Sequence, residues 1–546
     1  MSSPYTSKDL FSAPIITTVT ETSHCLATTY DHTHRYPIES YLFYATIERR
    51  LDPRSHDTTI LDRLIKKTYP HTNNSWVPED AEQKHDNDSM ILRMTSFFSV
   101  FCLITTDILG PQNAPYAFST MGYGKGAGLY FLFAIIGAYC GLLIWRLFMD
   151  LNSKTHPVRT FADLAFRLWG KPGKIIVTIL HSLYLLLVVA LLLLTSAQSL
   201  SQIIKNKFCF IALLVFFSVF GALVLAQIKS LKHYSKLSLI SVIVIIIGCI
   251  IGMVGAVQYP PNYKAAWKQN DEPEGPVRVV ASIGGQDQII GMLNAVYSFA
   301  GALLFPEILA EMANPWDFWK GALLSQAVIF CVYIFFGIFM YSHQGQFSIN
   351  PSGQSISDYK LQSACNVITI LAAIIAAGMF SNISIKVLWQ NIVMDIFKGP
   401  SLTSRTGRIS WSGSTIVYWI IAFTVAAAIP QLSAITALAA ALCALQFTYS
   451  FPALMTVTLQ MHKDALIGDG EFDRKTDSCM KQDTWKQKSR WVRGFAGHWK
   501  WNVWHIILGF LAIVLAIVGV VGSIVDIVDT FNSEGAPTSF SCSSPV

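Results

Sequence analysis

Residues 175–196 read IIVTILHSLYLLLVVALLLLTS, a run without a single Asp, Glu, Lys or Arg. A helix needs about 20 such residues to cross roughly 30 Å of hydrocarbon. Irregular backbone and open strand edges cannot face lipid, so a run of this kind is a membrane helix. The signal recurs along the chain. Eleven spans are expected, at 94–121, 126–148, 174–200, 208–228, 237–258, 288–312, 321–342, 362–390, 413–430, 432–460 and 503–528. Composition agrees: charged residues make up 14% of the 546, against about a quarter in soluble domains, and the mean hydropathy is +0.43.

The net charge of +6 resides in loops and tails, which argues for orientation in a membrane and against a nucleic-acid partner. With the N-terminus inside, the cytoplasmic loops hold 23 Lys and Arg and the opposite loops hold seven. That bias fits an odd number of spans, N-terminus in and C-terminus out. The first 30 residues have no basic start followed by an apolar core, so the first span is expected to act as the insertion signal. The ten cysteines stand singly, with no CxxC or metal spacing, and read as small packing residues. No cofactor or metal is expected.

The organisation that follows is a cytoplasmic tail over 1–90, with a short helix expected around 38–67, then a first group of five spans over 91–258. A non-cytoplasmic loop covers 259–287, and a second five-span group covers 288–461. A basic, Trp-containing cytoplasmic loop at 462–502, an eleventh span at 503–528 and a non-cytoplasmic tail at 529–546 complete it. The basic loop either rests on the anionic inner leaflet or is a solvated segment that keeps the positive side in.

Two spans are interrupted. The first reads FFSVFCLITTDILGPQNAPYAFSTMG, with Gly110, Pro111 and Pro115 in its middle; the sixth reads IIGMLNAVYSFAGALLFPEILAEM, with Gly301 and Pro306. Proline removes a backbone donor and clashes with the preceding turn, so each helix must kink or unwind. Spans one and six each open a five-span group. Matching interruptions in the two halves point to a transporter site near the bilayer midplane, where helix ends offer N–H groups to an anion and carbonyls to a cation. The plainer alternative is two unrelated proline kinks.

The segments ILGPQNAPYAFSTMGYGKGAGLY, RTFADLAFRLWG and FAGALLFPEILAEMANP resemble the amino acid/auxin permease family, over about residues 91–460. The resemblance implies the amino acid–polyamine–organocation architecture. This is an all-α membrane fold of about 11 helices, a 5+5 inverted repeat with discontinuous helices 1 and 6 plus one extra helix. It also implies uptake of amino acids coupled to protons or, as the lesser alternative, to sodium. One departure stands out: where the family has Gly-x-Gly before Pro-Tyr, this chain has Ile108-Leu109-Gly110-Pro111, which rearranges the donors available to a substrate carboxylate.

In that frame a substrate carboxylate would meet N–H groups at Gly110, Gln112 and Asn113. Its ammonium would meet carbonyls of Ser298, Phe299 and Ala300 beside Gly301, and its side chain would face Tyr116, Phe299 and Tyr184. An ionisable group inside a membrane is a functional candidate by default. Asp107 reads as a proton-coupling carboxylate or an ammonium partner, or else as a carboxylate satisfied by Thr105, Thr106 and local backbone. Glu307 reads as part of an inner gate or proton path, or as half of a structural ion pair. His181, Tyr184, Thr195, Gln198 and Ser199 share about a third of the circumference of span three. Such a stripe lines a pathway or makes interhelical hydrogen bonds. Ser381 and Asn382 in span eight either pack closely or, as the resemblance implies, contribute to a cation site.

The function expected is therefore secondary active transport of amino acids, neutral ones favoured, by alternating access in the plasma or vacuolar membrane. The rivals are a nutrient sensor built on a transporter fold and a carrier of another small metabolite. A membrane-embedded enzyme would need a cluster of catalytic residues at one depth, and none is visible.

Overall fold

A computed structural model describes residues 35–51, 97–225, 231–270, 272–280, 285–389, 405–429, 431–474, 476–532 and 539–544. Among them nine helical runs are long and apolar enough to cross a membrane, and a shorter apolar helix covers Phe210–Leu223. One run, Phe97–Leu151, holds the first two expected spans, because Gly122 at φ 76° folds the second back on the first. Only glycine takes that backbone angle without strain.

The first span is α2 (Phe97–Ile108), a non-helical Leu109–Gly110, one 3-10 turn (Pro111–Asn113), and then α3 (Ala114–Leu151). The sixth span repeats this order: α8 (Gly285–Tyr297), non-helical Ser298–Gly301, a 3-10 turn (Ala302–Leu304) and α9 (Phe305–Glu311). In both, proline opens the second half-helix instead of bending a continuous one: Pro115 and Pro306 stand in its first two positions. There the missing N–H has no intrahelical partner to lose.

The scaffold comes from the remaining long helices. α4 (Phe161–Ile203) starts on a capping box, Thr160 Oγ1 accepting from Asp163 N–H while Asp163 Oδ2 accepts from Thr160 N–H. It then breaks at Gly170, φ 75°, before its apolar stretch. α11 (Tyr359–Leu388), begun by an Asp358 cap, packs along α4, and α10 (Phe318–Gln344) packs along α3. α5 (Phe210–Leu223), α6 (Leu231–Gln258) and α7 (Tyr263–Asn270) lie between α4 and α10 in chain order, and α12 (Arg405–Ala428) follows α11. The tenth span is α13 (Leu432–Ala439) joined to α14 (Phe451–Leu466) through two π turns, Ala440–Ala444 and Gln446–Ser450. The helix thus passes through wide turns before Pro452, which stands in the first two positions of α14. α16 (Trp499–Asn532) turns Phe510, Leu511 and Ile517 outward, each more than 60% exposed, as a lipid-facing helix must.

At one end of the bundle the polar segments fold into a cap. Part of the expected tail helix is present as α1 (Ile38–Leu51), and its continuation to 67 falls outside the described residues. α1 is buried: Tyr41 and Phe43 have no exposed surface. Phe43 stacks on Phe472, with centroids 4.1 Å apart. Arg49 and Lys463 both reach Asp150 at 2.6 Å, and Lys481 reaches Glu39 at 2.9 Å. The basic segment after α14 is ordered as a hairpin (β1 Phe472–Asp473, β2 Ser478–Cys479) and α15 (Lys488–Ala496). Its Arg490 is buried between Asp469 (2.9 Å) and Asp483 (3.2 Å).

The opposite end carries a correction. Cysteines were expected only as packing residues, but Cys209 and Cys542 form a disulfide across 333 residues of sequence. Nearby, Phe540 N–H donates to Ala427 C=O and Ser539 Oγ to Ala428 C=O, so the tail is tied to the ends of both α5 and α12. Two solitary cysteines so far apart carry no spacing signal.

Candidate functional site

The two helix breaks face each other. At the first, Leu109 N–H still donates to Thr105 C=O (2.8 Å). Gly110 N–H donates to the Tyr333 hydroxyl of α10 (2.8 Å), which itself donates to Ile108 C=O (2.8 Å). At the second, Ala300 C=O accepts from the Tyr184 hydroxyl of α4 (3.0 Å), and Phe299 C=O accepts from Gly301 N–H (3.2 Å). Buried polar backbone must be satisfied. Here two tyrosines from scaffold helices do part of what the missing helical turns would have done. Gly301 permits the contact: a Cβ there would lie 2.3 Å from Ile108 Cγ1 and 2.7 Å from Asp107 Oδ2. Asn113 of the first break adds a long hydrogen bond to Asn294 C=O of the sixth span (3.5 Å).

Beside the breaks lies a cavity of about 170 Å³. This is on the order of ten times the space one water needs, so it is scaled for a small organic molecule. Its wall is mostly apolar, with Val188, Leu191 and Leu192 of α4, Ile245 of α6 and Ile368 and Phe380 of α11. Polar groups interrupt it: Thr106, Asp107, Gln112 and Asn113 at the first break, Thr195, Ser241 and Tyr297, and Asn350, Thr369 and Thr436. Asp107 Oδ2 is buried without a hydrogen-bond partner, as are Asn113 Oδ1, Ser241 Oγ and the donor Asn350 Nδ2. Toward the disulfide end, Gln112 Oε1 accepts from Ser352 Oγ (2.7 Å) and Gly353 N–H (3.0 Å), tying the break to the segment between α10 and α11.

Of the residues singled out from sequence, Asp107, Gly110, Gln112 and Asn113 line this cavity. Ser298, Phe299, Ala300 and Gly301 pack behind it, and the sixth span reaches its wall through Tyr297. The α4 stripe faces protein, with Thr195 on the wall and Tyr184 bracing the second break. His181 is fully buried deeper in the bundle, its Nδ1 3.9 Å from Glu307 Oε1. That Glu307 oxygen also accepts from Phe161 N–H at 3.3 Å. Glu307 and Glu311 border a separate void of about 20 Å³, toward the α1 end. This is room for one water. Tyr116 is half-buried against the core, and Ser381 and Asn382 are fully buried in α11 behind Phe380.

Sequence reasoning missed Tyr333 and Tyr297. Tyr333 stands in FCVYIFFGIF, an apolar stretch in which nothing marks one aromatic residue as the brace of a distant break.

A multi-pass helical membrane protein, with two interrupted helices meeting beside a small-molecule cavity, has the form of a membrane transporter. The family model for transmembrane amino acid transporter proteins matches residues 93–468, and the chain belongs to that family. Among its relatives, a transmembrane transporter of Gibberella moniliformis is 24% identical over 62% of this chain and 70% of its own length. An N amino acid transport system protein of Neurospora crassa is 22% identical over 65% of this chain and 74% of its own length. Among solved structures, the Eremococcus coleocola manganese transporter aligns with 82% of this chain and 97% of its own, at 13% identity and a TM-score of 0.43. The family is one of transporters, not of enzymes, and its membership makes this chain an integral membrane protein serving transport of a small molecule.

Proposed function

We propose that the protein is a proton-coupled secondary transporter of neutral amino acids, working by alternating access around the cavity beside the two breaks. The observation that carries this reading is the unpartnered Asp107 carboxylate on the cavity wall, with no Lys, Arg or His among the described residues that line it. An unpaired charge inside a membrane is expensive. A zwitterion adds no net charge, so a bound amino acid leaves the site at minus one. One proton on Asp107 removes that charge, which ties substrate and proton together. The apolar wall favours an uncharged side chain.

The N-terminus is read as cytoplasmic. Cys209 and Cys542 both fall on the side that the basic-residue bias assigns to the outside, and disulfides persist in oxidising compartments. The cavity lies nearer that side, with Leu103, Leu304, Glu307 and Ile308 packed between it and the cap. The conformation is thus read as one that receives substrate from outside, and alternating access requires that inner packing to part. Tyr184, His181, Glu307, Ser381 and Asn382 stay in this reading as gating or coupling groups near the breaks.

The test is uptake of radiolabelled neutral amino acids into proteoliposomes, with and without an inward proton gradient. Gradient-driven uptake that Asp107→Asn uncouples is expected. Absence of gradient-dependent uptake for every neutral amino acid would overturn the reading.

A further inference from the structure

The basic residues of 462–502 divide into two sets in the fold. Lys463, Lys481, Arg490 and Arg493 are paired with Asp150, Glu39, Asp469 and Asp483. Lys486, Lys488 and Lys500 are exposed and join no ion pair among the described residues. Helical spacing separates the sets on α15: Arg490 and Gly494, four residues apart, are buried, while Lys488, Trp491 and Val492 share the outer face. Trp491, Val492 and Trp499 are each more than half exposed. Five of the chain's 14 tryptophans fall between 485 and 504, and this residue concentrates where a membrane meets water.

Contacts with α14 fix the level at which this face lies. Trp485 packs on the His462 ring, with centroids 4.7 Å apart. A Cβ on Gly494 would lie 2.6 Å from the Met461 carbonyl oxygen, and His498 Nδ1 is 2.8 Å from Asp464 Oδ2. The stretch 485–498 is thus held against one turn of α14 and does not reach away from the bundle. α16 runs back along α14, Gly509 meeting Leu454, so it enters the hydrocarbon from that same turn. Its outward Trp504, Ile507 and Phe510 continue the apolar surface of Trp499 into the lipid-facing side.

From this we infer that the outer face of α15 binds anionic phospholipid of the adjoining leaflet. Lys486, Lys488 and Lys500 meet the charged headgroups, and Trp491, Val492 and Trp499 enter the boundary with the acyl chains. Each basic side chain near a charged leaflet adds attraction. These three contribute it in full, because they give up no protein carboxylate to do so. A bilayer is the occupant that fits, since the face borders the lipid-facing side of α16 without a gap and its free charges are all of one sign. The inference stands apart from what the cavity carries.

The test uses the full-length protein in nanodiscs of phosphatidylcholine with a minor share of phosphatidylserine. Bromine, which quenches tryptophan on contact, is carried on the acyl chains of one lipid or the other at equal mole fraction. The emission that Trp491→Phe removes is expected to be quenched about threefold or more strongly by brominated phosphatidylserine than by brominated phosphatidylcholine. The triple variant Lys486→Gln, Lys488→Gln, Lys500→Gln should bring the two to equality. Raising salt from about 0.1 M to 1 M should do the same in the wild-type protein, which keeps the test decisive if a variant does not fold. Equal quenching by the two lipids in the wild type would overturn the inference, as would a preference that survives the triple substitution. No quenching of Trp491 by either lipid would place this face in water, open to a protein partner, and would also overturn it.

Discussion

The Tyr333 hydroxyl accepts from Gly110 N–H and donates to Ile108 C=O, closing both sides of the gap between α2 and the following 3-10 turn. Removing it in Tyr333→Phe strands a donor and an acceptor inside the membrane. This should cost about 1–3 kcal/mol. A thermal midpoint lower by a few degrees is expected in a detergent unfolding assay, with reduced uptake. An unchanged midpoint would mean that the break finds other partners. At this scale the chain showed part of its site: Asp107, Gly110, Gln112 and Asn113 are legible because polar or helix-breaking residues are conspicuous in an apolar run. A tyrosine among phenylalanines is not, because its meaning depends on a backbone atom more than two hundred positions away.

Among the elements, α1 is where local reading falls furthest short. Its apolar run is too short to cross a membrane and is flanked by charge, so it reads as part of a tail, yet Tyr41 and Phe43 are as buried as any residue of the bundle. Phe43→Ala removes the ring stacked on Phe472 and should cost about 3–5 kcal/mol of docking and packing. Faster proteolysis at residues 36–51 is the expected readout.

The same contact should loosen in acid. His156 sits among the rings of Tyr36, Tyr41 and Tyr44. Burial, helped by the nearby Arg167 charge, pushes it down to about 4 from its ordinary 6.5. Between those values the undocked form binds more protons than the docked one, so docking is fully present above about pH 6.5 and weakens as pH falls toward 4. Hydrogen exchange across 38–51 that accelerates over this interval would show it, and His156→Gln should flatten the profile. The basic segment after α14 reads as a loop that rests on the inner leaflet or is solvated, because its charges look unpaired in sequence. Arg490 finds Asp469 and Asp483 only when the chain folds back on itself.

For the molecule as a whole, the disulfide is the longest-range constraint. It links the start of α5 to the C-terminal tail. Breaking it, by reduction or by Cys542→Ser, releases a large closed loop in the unfolded state and should cost about 2–5 kcal/mol. Loss of thermal stability on adding reductant, absent in Cys542→Ser, is the expected result. A membrane-impermeant thiol reagent applied after mild reduction should label the pair from the non-cytoplasmic face of the membrane, and labelling from the cytoplasmic face alone would reverse the orientation proposed above.

The sequence by itself determined that this chain lives in a bilayer as a bundle of helices, and that two of those helices break in corresponding places. Both follow from local physics: an apolar run of membrane length has no other way to satisfy its backbone, and proline with glycine cannot continue a helix. Tertiary structure alone decided which groups close the breaks, which carboxylate is left facing the cavity, how α1 docks and which cysteines pair. Each of those is a contact between segments that are far apart along the chain. Such contacts depend on where helices cross, which no single stretch of residues encodes.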